Sequence, residues 1–524
     1  MRLLLLFALT AANLCAQGLD PQKLLAPPVD TWPTYNGDYS GRRFSSLDTI
    51  NRSNVHGLTL AWAFQTHSVS VKSTPLEVNG ILYFSVPDHV WAVDAATGRQ
   101  VWHFSRPSQG DHLGSRGVGM YQNRLFFGTS DAHVIALDAR TGKQVWDTVV
   151  ADVTVGYYVS AAPLIVRGQV IVGTSGDSAD VPHFLLSLDP ATGKVNWRWN
   201  AVPRPGEPGA DSWPDADSMS HGGGSLWGAP TYDPELDLIY LGTGNPHPIL
   251  AGGVRKGDDL FTCAIVAIHA GTGKLAWYFQ PSPHDTHDWD AIETTVLVDG
   301  DFHGARRKML LQASRNGYYF VLDRETGKSL LTAPFAATDW ASQIDQQGQP
   351  VPSPAKEPQQ DGVLVHANMD GATNWMAPSF DPQTRLFYVN TQDAWSLWYL
   401  VLNEDKKPDG HQGGTLSDFW SSSQLKALDY QTGKTVWKRD LGPGHSFTGV
   451  LTTAGHLLFS GDTSGNVFAL DPANGDALWH VYAGGTLNSS PMTYQLNGRQ
   501  YVITAIDSVI YAWTLPPAAN DTKR

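Results

Sequence analysis

Short apolar runs recur in pairs along this chain, separated by turns that contain Gly or Asp. "RLFFGTS" (124–130) is followed by "HVIALD" (133–138), and "LLFSGD" (457–462) by "NVFALD" (466–471). β-Branched and aromatic residues in runs this short, bounded by turn formers, predict strands. A motif punctuates the pairs: A-x-D-x-x-T-G-x-x-x-W. It appears as "AVDAATGRQVW" (92–102), "ALDARTGKQVW" (136–146), "SLDPATGKVNW" (187–197) and "AIHAGTGKLAW" (267–277). "VLDRETGKSLL" (321–331), "ALDYQTGKTVW" (427–437) and "ALDPANGDALW" (469–479) bring the copies to seven. The Thr-Gly step supplies a tight turn between two strands, with Gly in a backbone conformation that side chains disfavour.

A four-stranded unit of this kind cannot bury both faces alone, so neighbours must stack around an axis. The predicted fold is all-β: an eight-bladed β-propeller with tryptophan-docking repeats. The eighth unit is shared between the chain ends, with "LTLAWAF" around Trp62 giving one strand and "QYVITAID" with "VIYAWTL" giving others. Trp62, Trp102 and Trp146 lie 40 and 44 residues apart, about one blade each. The wider gaps, Trp197 to Trp277 and Leu331 to Trp437, mark insertions, and inserted loops on one face are where function usually sits. Tryptophans inside the repeat frame are packing residues.

Composition supports this picture. With 51 Gly, 33 Pro and 19 Trp, the 524-residue chain has the makings of many turns and aromatic strands. Its 36 basic and 50 acidic side chains give a net charge of -14, which argues against nucleic acid or anionic membranes as main partners and suits a cation such as Ca²⁺. "MRLLLLFALTAANLCAQ" reads as a secretory signal with cleavage after Ala16, so residues 1–16 are expected to leave and 17–524 to form one propeller domain, periplasmic or secreted, without a transmembrane segment. Leu14 before Cys15 argues against a lipoprotein. Cys263 is then the only thiol of the mature chain, so no internal disulfide is possible, and no C-x-x-C-H is present for a covalent haem.

Chemistry concentrates in "PHDTHDWD" (283–290), with two histidines and three aspartates. The residues alone allow a metal site, a catalytic carboxylate or a polar loop. Zinc at His284 and His287 is the poorer reading, because no third ligand is evident.

These repeats, together with "GGGSLWGAPTYDPELDLIYLGTGNP" (222–246) and "PHDTHDWD", resemble the pyrroloquinoline quinone (PQQ) dependent alcohol dehydrogenases, from "TWPTYNGDYSGRRFSSLDTIN" (31–51) to "SSPMTYQLNGRQYVITA" (489–505). The resemblance implies an exported quinoprotein that oxidises an alcohol or sugar hydroxyl, with PQQ and Ca²⁺ or a lanthanide on the axis. Electrons would pass to a separate acceptor, a cytochrome c or a quinone. By the same resemblance Trp227 is the floor under the quinone, and Ser225 falls where a Thr often bonds the cofactor. Asn245 in "GTGNP" is a metal ligand, and Asp288 is both metal ligand and base. Asp290 matches an extra carboxylate of lanthanide-using members. Arg315 in "ASRNGYYFVLD" contacts the quinone oxygens, and Arg116 in "GSRGVGM" pairs with a cofactor carboxylate. Ser160 in "VSAAP" replaces a Thr, and Asn374 and Trp375 in "GATNWMAPSFDP" lie beside the cofactor. The glycines before Trp227 are expected to let a flat ligand approach closely.

Several positions depart from the family pattern. Gly110 and Asp111 replace two adjacent cysteines, Phe447 replaces a Trp, and Lys72 in "VKSTPLEV" replaces a glutamate, where it could pair with PQQ carboxylates. Ser178 falls on a glutamate metal ligand; Asp177, Asp180 or Asp290 could restore the missing charge, on which affinity for hard cations depends. These departures also motivate an alternative: a non-catalytic propeller of the same repeat acting as an envelope binding or assembly scaffold.

Overall fold

The computed structural model describes residues 18–109, 114–176 and 179–517. The expected signal segment with Cys15, the Gly110-Asp111 pair, and Asp177 with Ser178 lie outside the described residues. Among those described, the strands form eight sheets of four or five strands and one two-stranded ribbon. The architecture is a β-propeller.

A typical sheet runs Leu76–Val78, Ile81–Val86, His89–Asp94 and Gln100–Ser105, each strand antiparallel to the next. Its first three strands are nearly all buried, and its fourth is mostly exposed apart from Trp102. The ends of the chain join as expected: Thr59–Gln65 pairs with Val509–Thr514, placing Trp62 opposite Ala512.

The repeat has a direct physical reading. The indole N–H groups of Trp62, Trp102, Trp146, Trp197, Trp277 and Trp437 donate to the carbonyls of Ala95, Ala139, Pro190, Ala270, Arg324 and Pro472 at 2.9–3.1 Å. Each acceptor directly follows the Asp position of the next repeat. That Asp shapes the turn: Asp94 Oδ1 accepts from the backbone N–H groups of Ala96 and Thr97 and from the Thr97 hydroxyl. The repeat glycine then lies under the docked ring. At Gly142, φ is +68° and a Cβ would stand 2.6 Å from the Trp102 indole. Where Leu331 replaces the Trp, the corresponding Gly433 packs against Ala333 and Tyr319 instead. Trp102→Ala is expected to cost about 4 kcal/mol and Gly142→Ala about 2 kcal/mol, read as lowered denaturant midpoints at unchanged m.

Glu77, in the strand Leu76–Val78, is 1% exposed, accepts from the Gly80 N–H, and is pushed up to about 7 by burial. Its folded pKa exceeds its unfolded value, so the stability it contributes is present below about pH 4.5 and lost as pH rises to 7. Glu77→Gln is expected to remove that decline, up to about 3 kcal/mol, in unfolding curves taken at pH 4.5 and 7.5.

One end of the propeller carries the long connections. Lys72, Arg116, Trp227 and Asp288 precede the first strands of four sheets, Trp375 and Phe447 precede the strands Ser379–Asp381 and Leu451–Thr453, and Asn245, Arg315 and Gln412 lie between second and third strands.

Candidate active site

These connections enclose a cavity of about 380 Å³, within the size range of small-molecule sites. Its lining brings together three cations (Lys72, Arg116, Arg315), three carboxylates (Asp288, Asp290, Asp370) and two indoles (Trp227, Trp375). Ser225, Asn245 and Asn374 also line it, while Ser160 stands behind the wall and accepts from Arg116 Nη1 at 3.1 Å.

Asp290 joins two loops. Its Oδ2 accepts from Trp227 Nε1 at 2.6 Å and its Oδ1 from the Asn245 N–H at 2.7 Å. This fixes the edge of the indole and leaves a face toward the cations: Arg116 lies 4.4 Å and Arg315 5.2 Å from the ring centroid. The glycines of "GGGSLW" do something other than admit a ligand. A Cβ on Gly222 would meet Pro182, one on Gly223 the Asn245 carbonyl, and one on Gly224 the Ala201 side chain. They bring the Trp227 loop against neighbouring backbone.

Asp288 is held by a turn. Asp285, 4% exposed, accepts from the N–H groups of His287 and Trp289 at 3.2–3.3 Å, and Asp288 between them takes φ +61°. Burial pushes the Asp285 carboxyl up to about 6; Arg255 opposes this and Asp290 adds to it. The buried Arg255 donates to the carbonyls of Asp285 and Ile249 and pairs with Asp259, tying the insertion that carries it to the Asp288 segment. His284 contacts the Gly257 carbonyl at 2.7 Å; His287 contacts that of Lys356 at 3.0 Å and stacks on Trp289. Both histidines engage backbone carbonyls, as expected of structural groups.

Arg315 draws the acids together. Nη1 donates to the Asp288 carbonyl at 2.6 Å and lies 3.6 Å from its carboxylate, and Nη2 is 3.6 Å from Asp290 Oδ2 and donates to Asn374 Oδ1 at 3.3 Å. Burial works against its charge, but Asp290, Asp288 and Glu293 outweigh it and raise its pKa. The guanidinium stays a cation.

Sequence reasoning missed several lining residues: His247, Ile249, Met369, Asp370 and Gln412. Asp370 pairs with His445 at 3.2 Å, and His247 is pushed down to about 4 by burial, so its ring is neutral at pH 7. Phe447 packs parallel to Trp375, with ring centroids 6.4 Å apart. Asp180 turns away to His221 at 2.7 Å and does not line the cavity. Cys263 is buried, its pKa raised chiefly by that burial.

A planar polyanion fits this lining. The buried Ser225 hydroxyl has no hydrogen-bond partner among the described residues, and three cations and two indoles surround the space. For a cation, the donors on hand are hard oxygens from Asn245, Asp288 and Asp290, a set suited to Ca²⁺ or a lanthanide. Among the described residues no group of three or more His, Cys, Asp or Glu side chains could hold a metal by itself. A cation here would draw also on the amide oxygen of Asn245. Gly176, just before the undescribed Asp177, lines the cavity.

Comparison with known proteins decides the family. Residues 32–362 and 423–502 match the model of the PQQ-linked glucose/ethanol/alcohol dehydrogenase β-propeller domain. The chain belongs to the PQQ-dependent alcohol dehydrogenase family. It is 35% identical to quinohemoprotein alcohol dehydrogenase ADH IIB of Pseudomonas putida, over 95% of this chain and 77% of that one. Identity to quinoprotein alcohol dehydrogenase PedH of P. putida is 32%, over 90% and 84%. The crystal structure of the Comamonas testosteroni quinohemoprotein alcohol dehydrogenase superposes with TM-score 0.87 at 30% identity, over 95% of this chain and 82% of that one. A europium-containing methanol dehydrogenase gives 0.87 at 28%, over 94% and 100%. This quinoprotein therefore shares its propeller with PQQ-dependent dehydrogenases. Among its described residues no helix is long and apolar enough to cross a membrane.

Proposed function

We propose that this protein is an exported dehydrogenase, periplasmic or secreted, that oxidises an alcohol or sugar hydroxyl with PQQ and a hard cation, Ca²⁺ or a lanthanide. One observation carries the reading: the Asp288 carboxylate and the Arg315 guanidinium meet beside the face of Trp227 in one cavity. Bound there, PQQ supplies a two-electron acceptor and the cation a Lewis acid. The chain's residues bind and orient. Trp227 offers an aromatic floor, Arg116 and Lys72 charges for the cofactor carboxylates, and Ser225, Asn374 and Trp375 polar and aromatic edges, with Ser160 steadying Arg116 from behind. Asn245, Asp288 and either Asp177 or Asp290 are the oxygen donors for the ion.

Asp288 takes the proton of the substrate hydroxyl as hydride leaves the adjacent carbon, and Arg315 offsets the negative charge that develops beside it. The electrons leave to a separate acceptor, a cytochrome c or a quinone. The scaffold alternative gives no use to three cations and three carboxylates gathered in one cavity.

The test is reconstitution. Purified protein is mixed with PQQ and Ca²⁺ or La³⁺ and assayed with an artificial electron acceptor over a panel of alcohols and sugars. Turnover that requires both PQQ and an ion is expected. Failure to take up PQQ with any ion favours the scaffold.

A further inference from the structure

The segment that carries Asp288 and Asp290 ends in an acid that the chemistry above does not use. Glu293 is 3% exposed and does not line the cavity. Its Oε1 lies 3.9 Å from Nε of Arg315. Arg315 is thus met on three sides: Nη1 by the Asp288 carbonyl, Nη2 by the Asn374 amide oxygen, and Nε by Glu293. The first two contacts aim the Nη edge at the cavity. Among the described residues no side chain hydrogen-bonds Nε or either carboxyl oxygen; the two groups face each other at 3.9 Å, and the backbone N–H groups of Glu293 and Arg315 also act on the carboxyl.

Burial is the main influence on the Glu293 carboxyl and pushes it up to about 8; Arg315 opposes this, and Asp290 adds to it. The guanidinium thus has a buried acid behind it and Asp288 and Asp290 in front. Gln312 Nε2 donates to the Glu293 carbonyl at 2.8 Å and anchors that backbone to the strand Ala305–Ala313, two residues before Arg315.

We propose that Glu293 is a positioning residue: it backs the Nε edge of Arg315 and keeps both Nη groups turned to the cavity. The assignment rests on the function proposed above only for what Arg315 does there. An apolar side chain of equal length would leave a buried N–H facing hydrocarbon, a cost the guanidinium relieves by turning. An amide of the same shape keeps the polar neighbour.

Glu293→Met and Glu293→Gln separate these cases, with Glu293→Ala replacing the Met variant should that one not fold. Three readouts apply: the crystal structure without added ligand, PQQ affinity from tryptophan quenching, and kcat and KM after reconstitution. In E293M the guanidinium is expected to turn and lose its bond to the Asp288 carbonyl, PQQ affinity to fall about tenfold, and kcat to fall more than KM rises. In E293Q all of these stay within about threefold of wild type. An E293M structure with Arg315 unmoved and affinity unchanged overturns the proposal, as does an E293Q variant that fails like E293M. Should wild-type protein take up no PQQ, the functional reading falls, and the crystallographic comparison still decides this one.

Discussion

Asp288→Asn is expected to lower kcat of the reconstituted enzyme about a thousandfold while the protein stays folded. The amide matches the carboxylate in shape and keeps the backbone carbonyl that Arg315 holds, so the cavity survives. On the proposed function, what is lost is the proton acceptor and one charged oxygen for the ion. The two losses separate by measurement. If weakened ion binding were the whole effect, a large excess of Ca²⁺ or La³⁺ would restore turnover. The expected result is restoration of ion occupancy without restoration of kcat, read by steady-state kinetics at saturating ion.

Asp290 gives the second large effect, for a different reason. Its two oxygens are bound by the indole N–H of Trp227 and the backbone N–H of Asn245, and Arg315 stands 3.6 Å away. Asp290→Leu leaves two buried donors without acceptors and one guanidinium short of a counter-charge, a loss of about 3–5 kcal/mol in stability. PQQ affinity falls with it, because the floor indole is no longer held. Asp290→Asn keeps one acceptor oxygen and is expected to lose less than half as much by denaturant titration. Equal losses in the two variants would mean that the carboxylate does not brace Trp227.

The fold was legible because the repeat encodes contacts. The Asp that bonds its own turn, the glycine beneath the ring and the indole that reaches the next carbonyl all sit in one eleven-residue pattern, and even the Leu331 exception is visible as a missing Trp. Ring closure could also be read, since Trp62 and the C-terminal strands carry the same strand chemistry.

Much of the site was legible through family motifs: Arg116, Trp227, Asn245, Asp288 and Arg315 converge on one cavity although nearly 200 residues separate the first from the last. The insertions were not. Asp370 and His247 flank quoted motifs but belong to neither, Gln412 lies in a long connection, and their approach to the cavity depends on tertiary packing. Arg255 gave no signal as the clamp on Asp285, because its partners are mostly backbone carbonyls, which any sequence supplies. The glycine run before Trp227 was misread for a related reason. Glycine marks a close approach without saying to what, and here the neighbours are Pro182, Asn245 and Ala201.

The most direct measurement is anomalous diffraction from crystals of the wild-type protein soaked with PQQ and a lanthanide ion. The account predicts a single strong peak between Asn245 and Asp288, with the quinone plane lying on the Trp227 indole. A quinone bound elsewhere, or an ion peak distant from the Asp288 carboxylate, would contradict it.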